Sequence, residues 1–461
     1  MTATRPIDVC IIGGGPAGSA LALRLTQLGW RVLVLERETF PRRRVGESLS
    51  PGVSVLFEAL GCGDILRHAR SLPVQAVSVT WEGGAQIRQD PEARGQLVCR
   101  SLLDMLLLGR VRHSGATVLQ PAVFRSGVPN SEGWEVCFEY EGEQHKVFTR
   151  FLADGSGRGF ATRGRKKRTG RPTLALHAWW PPGRGFPRQP SVVAGDDGWY
   201  WGMPLPDGSF SAMLFTDPRQ HKPSDFPRLI AASGVLGAVP EPGPPPLVCA
   251  SDATPWVDEQ CVSSTSICVG DSAIALDPLS STGVQMALQT SLWGAVVVNT
   301  LLRKPEAAAA AIDFYRSGVT AAALRHQAWA TGYYGLAAAE RSHAFWKQRS
   351  GEGTSTEPVP ATVGIRSETT PLVLCPAAEF RDTPCVWGDF IEVRSALHHP
   401  SLERPLAFLG SSELSTLFTP VPGALTAAQL AQAWSDRVPV SAGLRIAAWL
   451  QEKGLLVPEA A

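Results

Sequence analysis

The first forty residues alternate between short apolar runs and a glycine-rich turn. Asp8 to Ile12 form a β-rich run, Gly13 to Gly18 contain the glycines, and Ala20 to Leu28 are small residues and leucines. A second apolar run, Arg31 to Leu35, follows directly. This order predicts strand, turn, helix and strand, which is one βαβ unit of an α/β fold with a parallel sheet.

Two later stretches are rich in Trp, β-branched residues, Pro and Gly, in short runs without helical spacing. They are Val74 to Ile87 and Leu174 to Phe215, and they predict an antiparallel sheet inserted into the first domain. The rest of the first domain is predicted to contain a helix over Ser101 to His113, strands over Gln144 to Leu152 and Ile267 to Val269, and a long helix over Thr282 to Leu302.

The C-terminal part of the chain has a separate pattern. Residues 350–371 are polar, rich in Gly, Ser, Thr and Pro, and predict a linker. Residues 372–461 are predicted to form a small α+β domain. Its predicted elements are strands at Phe390 to Ala396 and Pro405 to Leu409, a short helix near Glu413, helices over Thr426 to Ser435 and Ser441 to Lys453 that are capped by Thr426 and Gly454, and a final strand at Leu455 to Val457.

Composition narrows the class of protein. Of the 461 residues 44% are apolar and 18% are charged, which suits two or three packed domains. The 43 basic residues nearly cancel the 42 acidic ones, so bulk charge recruits neither nucleic acid nor an anionic membrane. The nine cysteines include no C-x-x-C pair, and the histidines lack metal-ligand spacing, so no metal site is predicted. Without a signal peptide or an apolar span of about 20 residues, we expect a cytoplasmic protein.

The glycine turn carries the first chemical signal. Gly13-x-Gly15-x-x-Gly18 lies between a predicted strand and helix, and Glu36 closes the next strand. In such a unit the glycines permit a tight turn, approach to a pyrophosphate and close helix packing, and the acidic residue holds ribose hydroxyls. An ordinary glycine-rich turn is the alternative, which the complete unit disfavours.

Further motifs make the signal specific. They are Gly46-Glu47-Ser48, Arg100 with Asp104, Asp154-Gly155 and Gly270-Asp271. Together with the glycine motif they resemble the FAD-dependent monooxygenases of the para-hydroxybenzoate hydroxylase fold, over residues 1 to 345. The resemblance implies non-covalent FAD, with Asp271 at the ribityl chain, Arg100 at the flavin, and the loop from Pro278 to Gly283 over the isoalloxazine.

The resemblance also assigns domains and site residues. It implies a discontinuous FAD-binding domain of residues 1–73, 99–165 and 255–349, and a substrate domain of residues 74–98 and 166–254. The candidate cofactor-binding residues are Gly13, Gly15, Gly18, Glu36, Arg37, Arg44, Ser48, Arg100, Asp154, Gly270, Asp271, Gly283 and Val284. The candidate catalytic residues are Trp199, Trp201, Pro278, Thr282 and Gly283.

Two segments resemble one branch of this superfamily more closely, the flavin-dependent tryptophan halogenases and geranylgeranyl reductase relatives. They are Gly46 to Gly52 and Asp277 to Gly283. Trp199-x-Trp201-x-x-Pro204 resembles the halogenase W-x-W-x-x-P signature, in which aromatic rings separate flavin from substrate; core packing is the alternative. Halogenases need a lysine in the segment that matches Ser71 to Trp81, which contains none, so halogenation is not expected.

The expected reaction is therefore hydroxylation. Asp154-Gly155 resembles the motif associated with FAD and nicotinamide binding in single-component hydroxylases, which implies NAD(P)H and O₂ as co-substrates. The resemblance implies a C4a-hydroperoxyflavin that attacks an electron-rich aromatic ring. The basic run from Arg163 to Arg171 could dock a nicotinamide 2′-phosphate or an acidic partner, or be solvated surface.

The C-terminal domain suggests the substrate. Its segments Ser411 to Leu417, Pro422-Gly423, Thr426 to Leu430 and Trp449 to Leu456 resemble winged-helix elements that bind leader segments of ribosomal peptides; a packing or dimerisation module is equally open. Such elements capture a peptide as an added strand. The combination resembles monooxygenases of tryptophylquinone-type cofactor maturation, which implies a tryptophan in a peptide or small protein precursor as substrate.

Three alternatives remain open from the sequence. The protein could hydroxylate free tryptophan or another small aromatic, or be a halogenase or geranylgeranyl reductase relative with a different reaction. A flavin-binding sensor whose winged helix contacts DNA is the non-enzyme alternative. Residues 372–461 contain few Lys and Arg, which disfavours that role because a DNA reader needs a basic stripe.

Overall fold

The computed structural model describes residues 7–89, 95–159, 164–183, 185–237, 245, 247–351, 370–402, 404–410, 412–418 and 423–459. The chain divides into two compact units. The first comprises residues 1–308 and 315–354, and the second residues 309–314 and 355–461.

The helices are α1 (Pro16–Gln27), α2 (Val53–Ala59), α3 (Ile65–His68), α4 (Arg100–His113), α5 (Phe226–Ala232), α6 (Gly283–Arg303), α7 (Ala308–Ala338), α8 (Ala344–Lys347), α9 (Leu414–Phe418), α10 (Ala427–Ala433) and α11 (Val440–Glu452). The strands of the first unit are β1 (Ile7–Ile12), β2 (Val32–Leu35), β3 (Ser48–Leu49), β4 (Leu72–Pro73), β5 (Val77–Thr80), β6 (Gln86–Arg88), β7 (Gln96–Leu97), β8 (Thr117–Leu119), β9 (Ala122–Pro129), β10 (Trp134–Tyr140), β11 (Glu143–Asp154), β12 (Lys166–Arg168), β13 (Leu174–Trp180), β14 (Ser191–Ala194), β15 (Gly198–Pro204), β16 (Phe210–Thr216), β17 (Cys249–Asp252), β18 (Trp256–Asp258), β19 (Ser266–Cys268) and β20 (Ile274–Ala275). Those of the second unit are β21 (Leu372–Leu374), β22 (Glu379–Trp387), β23 (Phe390–His398), β24 (Phe408–Leu409), β25 (Ser412–Glu413) and β26 (Leu456–Pro458).

A mostly parallel sheet forms the first layer of the larger unit. Its strands run in the order β8, β2, β1 and β11, all parallel, with β19 also parallel to the end of β11. All four side chains of β2 are buried, as expected for a strand covered on both faces. Helix α1 lies against α6 and α4. The predicted βαβ unit and Rossmann-like fold class are confirmed.

The second sheet draws its strands from two distant parts of the chain. Its order is β17, β13, β16, β15, β14, β5 and β6. The inserted antiparallel sheet is therefore confirmed, with one difference: β14 and β5 pair in parallel. No hairpin joins these two strands, so no turn imposes the antiparallel direction on them.

Neither strands β9 and β10 nor the long helix α7 was predicted. Strands β9 and β10 extend the parallel sheet with an antiparallel edge, and β9 is largely exposed, which leaves it little apolar signal. Helix α7 is 31 residues long. Glycines and polar residues on this helix weaken its apolar periodicity. No helix in the described ranges is long and apolar enough to cross a membrane.

The second unit has its own core, which includes Trp434 and Leu450. Strands β22 and β23 form a hairpin, and β21 pairs with β26. The Thr426 side chain accepts from the Gln429 backbone N–H while the Gln429 side chain accepts from the Thr426 N–H, so the predicted cap is a capping box. Gly454 has φ +70°, as the predicted C-cap requires. Most of the predicted linker, with Ser411 and Pro422, lies outside the described residues.

His177 makes the stability of the inserted sheet depend on pH. It is buried in β13, and its Nε2 lies 3.1 Å from Ser251 Oγ. Burial lowers the pKa of His177 to about 4. Between pH 6.5 and 4 the unfolded chain therefore binds one more proton than the folded chain at this position. The free energy of unfolding falls as the pH falls through this window.

We expect His177→Gln to remove this contribution. Between pH 6.5 and 4, the unfolding free energy of the parent should fall relative to the variant by about 1.4 kcal/mol per pH unit. Urea unfolding at several pH values measures it, and His113→Gln, at an exposed position, is the matched control. Parallel pH dependences for the parent and His177→Gln would contradict the prediction.

Candidate active site

A cavity of about 890 Å³, here called the main cavity, lies at the carboxyl ends of the parallel strands. Ligands of open α/β sheets bind at this edge. The second sheet supplies further lining residues. The predicted residues that line the main cavity are Gly13, Gly15, Glu36, Arg37, Arg44, Ser48, Arg100, Trp199, Trp201, Asp271, Pro278, Thr282, Gly283 and Val284. Gly18, Asp154 and Gly270 are predicted residues that support the cavity from behind.

The three glycines of the G-x-G-x-x-G motif have different structural roles. A Cβ at Gly18 would lie 1.9 Å from the Gly13 carbonyl oxygen, so helix α1 can approach the turn only without a side chain there. Gly13 itself has φ +96°, and its Cβ would lie 2.6 Å from the Gly155 oxygen. Among the described residues, a Cβ at Gly15 would meet only Arg42 Nη2 within 4 Å, at 3.7 Å. Gly15 is therefore dispensable for packing, and its glycine leaves room for a ligand.

Glu36 is held at the end of β2 by backbone donors. Its Oε2 accepts from the Gly14 N–H at 2.7 Å and its Oε1 from the Glu38 N–H at 2.8 Å. A carboxylate has about four acceptor positions, so two remain for ribose hydroxyls. The geometry is compatible with the predicted role.

Two arginines share one fully buried carboxylate. Arg100 donates to Asp104 through Nε at 2.9 Å and Nη2 at 3.1 Å, and through Nη1 to the Val45 carbonyl at 2.8 Å. Burial opposes the charge of Arg100, but the Asp104 carboxylate outweighs it and raises the Arg100 pKa. Arg42 also donates to Asp104, at 3.1 Å. Arg42 also lines the main cavity but was not predicted as a site residue. In the sequence it stands only in a run of three arginines.

The other two predicted arginines lie nearer the surface. Both Arg37 and Arg44 pair with Glu38, at 3.6 Å and 2.6 Å. Such exposed pairs contribute at most about 1 kcal/mol. Their side chains can thus turn toward an anionic ligand at small cost.

Asp154 and Gly270 connect two turns behind the main cavity. The buried Asp154 carboxylate accepts from the Ser156 N–H at 2.9 Å and from Ser272 Oγ at 3.0 Å. Gly270 has φ +62°, and its Cβ would lie 2.6 Å from the Ala17 Cβ. Asp271 is left facing the cavity, where Arg158 Nε lies 3.4 Å from its Oδ2.

The loop before α6 presents a helix N-terminus to the main cavity. Ser281 has φ +53°, a left-handed conformation that reverses the chain just before Thr282. Helix α6 starts at Gly283, and no side chain caps it. Its first N–H groups and the helix dipole can therefore stabilise negative charge on a ligand.

The two tryptophans of the W-x-W segment point to the same face of β15 and line the main cavity. Trp199 is also a core residue: its ring stacks on Phe215 at 4.0 Å, and its Nε1 lies 3.3 Å from Tyr334 Oη. Trp201 is less buried, and its Nε1 lies 3.3 Å from Met203 Sδ. Core packing therefore explains much of the burial of Trp199. Trp201 is the more accessible of the two tryptophans.

Two buried acidic residues that line the main cavity lie within the sequence motifs, but they were not predicted to be site residues. Glu47 is 1% exposed, and its Oε1 accepts from Trp179 Nε1 at 2.6 Å. Asp277 accepts from Tyr334 Oη at 3.1 Å. Burial raises the pKa of each carboxyl. The sequence signal that could have identified Glu47 and Asp277 is that each is an acidic residue inside a glycine-containing motif.

The basic run is mostly surface. Arg165 lies 3.2 Å and Lys167 3.8 Å from the carboxylate of Glu259. Arg163 lies outside the described residues.

These residues fit FAD. The open space at Gly15 and the uncapped start of α1 match a pyrophosphate. The free acceptor positions of Glu36 match a ribose, and the uncapped start of α6 matches a flavin ring. A volume of about 890 Å³ is at the upper end for cofactor sites.

Comparisons with known proteins agree with this site. Residues 8–48 match the family model of the FAD dependent oxidoreductases. A tryptophan 2-halogenase of Chondromyces crocatus is 26% identical over 73% of this chain and 69% of its own length. The flavin-dependent halogenase armH1 of Armillaria mellea is 26% identical over 71% of each chain. These matches support an FAD-dependent enzyme of the flavoprotein superfamily.

Two solved structures share the fold over nearly the whole chain. The peptidyl tryptophan dihydroxylase QhpG, essential for tryptophylquinone cofactor biogenesis, aligns with a TM-score of 0.75 and 24% identity over 98% of this chain and 100% of its own. The flavin-dependent halogenase CmlS aligns with a TM-score of 0.79 and 20% identity over 99% and 97%. At these identities the likeness establishes the fold alone.

Gly15→Val should abolish FAD binding without unfolding the chain. The branched side chain would occupy the space in which a pyrophosphate approaches the α1 N-terminus, while the nearest atom to its Cβ among the described residues is the tip of the flexible Arg42 side chain. Absorbance at flavin wavelengths after FAD loading, together with urea unfolding, measures both effects. Gly109→Ala is the control, because nothing lies within 4 Å of its Cβ. Full flavin content in Gly15→Val would contradict the assignment.

Proposed function

We propose that the protein is a single-component FAD monooxygenase that hydroxylates a tryptophan side chain in a peptide or small protein precursor. The observation that carries this proposal is the continuity of the main cavity from the glycine turn to the Trp201 face of the second sheet. A dinucleotide and an aromatic ring could therefore occupy one chamber. This is the arrangement that oxygen transfer to an aromatic ring requires.

When bound, FAD supplies the electron transfer and oxygen activation. The chain supplies position and a dry environment. The rings of Trp199 and Phe215, with Met203 and Met213, form an apolar wall that excludes water from the reacting groups. The uncapped α6 N-terminus, which also lines the cavity, can stabilise negative charge on a bound group.

The electrons are proposed to come from NAD(P)H on the same polypeptide. Support comes from the resemblance of Asp154-Gly155 to the hydroxylase motif, and from its position beside the cavity. Gly155, Ser156 and Gly157 line the cavity directly, so a second nucleotide could approach there.

The peptide part of the proposal rests on the second unit. It has a winged-helix-like order of helices and a hairpin, β22–β23, in which β22 pairs with β23 and has no other strand partner among the described residues. Backbone groups on such an edge can pair with an extended peptide. The likeness to QhpG, named as a peptidyl tryptophan dihydroxylase, agrees with this substrate class.

Halogenation is the second candidate, because the curated relatives reported above are halogenases. The lining of the main cavity weighs against it. None of the described residues that line it is a lysine. Hydroxylation and halogenation have different products, which a single experiment distinguishes.

The first test supplies a tryptophan-containing peptide, FAD, NADH or NADPH, ¹⁸O₂ and chloride or bromide. We expect mass spectrometry to find ¹⁸O in the tryptophan and no halogen, without an added flavin reductase. A halogenated product would establish the second candidate. A requirement for a separate reductase would contradict the single-component assignment.

The second test separates peptide from small-molecule substrates. If the second unit binds the polypeptide, the target tryptophan experiences an effective concentration of about millimolar. A full-length precursor should then have a much higher kcat/KM than a short fragment or free tryptophan. Equal kcat/KM values for the three substrates would contradict capture by the second unit.

A further inference from the structure

A second cavity lies on the other side of the loop that precedes α6. It has a volume of about 360 Å³ and is here called the side cavity. Exposed Arg168 and Arg171 line its outer part, so it opens to solvent. Leu276 and Asp277 line both cavities. The wall between the side cavity and the main cavity is therefore about one residue thick.

A chain of hydrogen bonds crosses this wall. His326 lines the side cavity, and its Nε2 lies 2.5 Å from Ser280 Oγ. Ser280 Oγ lies 2.6 Å from Thr282 Oγ1, and Thr282 lines the main cavity. Hydroxyl groups both donate and accept, so the bonds can run in either direction.

The state of the histidine suits proton transfer. Burial lowers the pKa of His326 to about 4, so the ring is neutral at neutral pH. A neutral imidazole can accept a proton at one nitrogen and release one from the other. The charged or titratable groups that line the side cavity with it are Arg168, Arg171, Arg349, Asp277 and Tyr334.

A separate proton route is needed because the main cavity must be dry. Aromatic hydroxylation by the proposed function consumes one NAD(P)H, one O₂ and one proton, and it releases one water. FAD and substrate would fill the main cavity, which excludes bulk water as a proton source there. The required proton must then pass through protein groups.

We propose that His326, Ser280 and Thr282 relay protons from the side cavity to the main cavity. A proton from solvent, carried as hydronium through water in the side cavity, adds to His326 Nδ1 as the Nε2 proton passes to Ser280 Oγ, and the water that delivered it stays neutral. The Ser280 hydroxyl proton moves to Thr282 Oγ1, and the Thr282 proton passes to an acceptor in the main cavity. Each group ends with its original number of protons, and rotation of the ring and hydroxyls resets the chain. The relay rests on the proposed function.

A second polar bridge in the wall includes Asp277, which lines both cavities. Tyr334 Oη donates to Asp277 and accepts from Trp199 Nε1 at 3.3 Å. An indole N–H does not give up its proton in this pH range, so Trp199 supplies no proton to this bridge.

The test uses the full-length chain loaded with FAD. Ser280→Ala and His326→Ala should retain FAD content and lose about tenfold or more of the hydroxylation rate, the lower part of the range for proton-transfer groups. Imidazole added to His326→Ala should restore the rate, because the side cavity is open to solvent. Thr331→Val, which also lines the side cavity, is the matched control and should keep the parent's rate.

A second readout needs no cofactor. In ¹⁵N-histidine NMR of the apo protein, with the His326 signal assigned by its absence in His326→Ala, the parent should show a single ring tautomer and Ser280→Ala a mixture. Rates within twofold of the parent in both variants, or loss without imidazole rescue, would overturn the relay. An unchanged tautomer in Ser280→Ala would also overturn it, even if His326→Ala does not fold. A parent that hydroxylates no tryptophan substrate refutes the proposed function instead.

Discussion

Three glycines packed backbone against backbone hold the nucleotide-binding half together. A Cβ at Gly18 would meet the Gly13 carbonyl at 1.9 Å, and one at Gly155 would meet Gly18 backbone atoms at 3.1 Å. Gly13, at φ +96°, closes the set against Gly155. This contact fixes the ends of β1 and β11 and the start of α1 relative to each other. Every cofactor-facing group on that edge depends on the resulting geometry.

Burial affects the cationic and the acidic groups of the main cavity differently. Near the first sheet, Arg42 and Arg100 share the buried Asp104, so positive charge is fixed by a partner whose removal would cost about 3–5 kcal/mol. At Glu47 and Asp277, burial instead raises the carboxyl pKa. Fixed cations suit an anionic ligand, whereas a raised carboxyl pKa favours the neutral acid in a buried site.

Some site residues can be predicted from the local sequence, whereas the position of others depends on packing. Gly13, Gly15 and Glu36 stand in a local pattern with a known backbone geometry, and the structure places them at one strand edge. Arg42, Glu47 and Asp277 line the same cavity, but Arg42 lies only in a run of three arginines, and the motifs around Glu47 and Asp277 do not show that their carboxyls are buried. Their position depends on contacts with Asp104, Trp179 and Tyr334, which are far away in the chain.

The sequence by itself determined the βαβ unit, the inserted sheet and the helix caps of the second unit, because each depends on residues close together in the chain or on a repeating apolar period. Only the tertiary structure decided the parallel pairing of β14 with β5, the length of α7 and the second cavity beside the first. The proximity of His326 to Ser280 has the same origin. The strand pairing, the second cavity and the contact between His326 and Ser280 join segments from distant parts of the chain, and packing of the whole unit selects such non-local contacts. Helix α7 is one continuous segment, but its glycines and polar residues weaken the apolar periodicity that would have predicted its length.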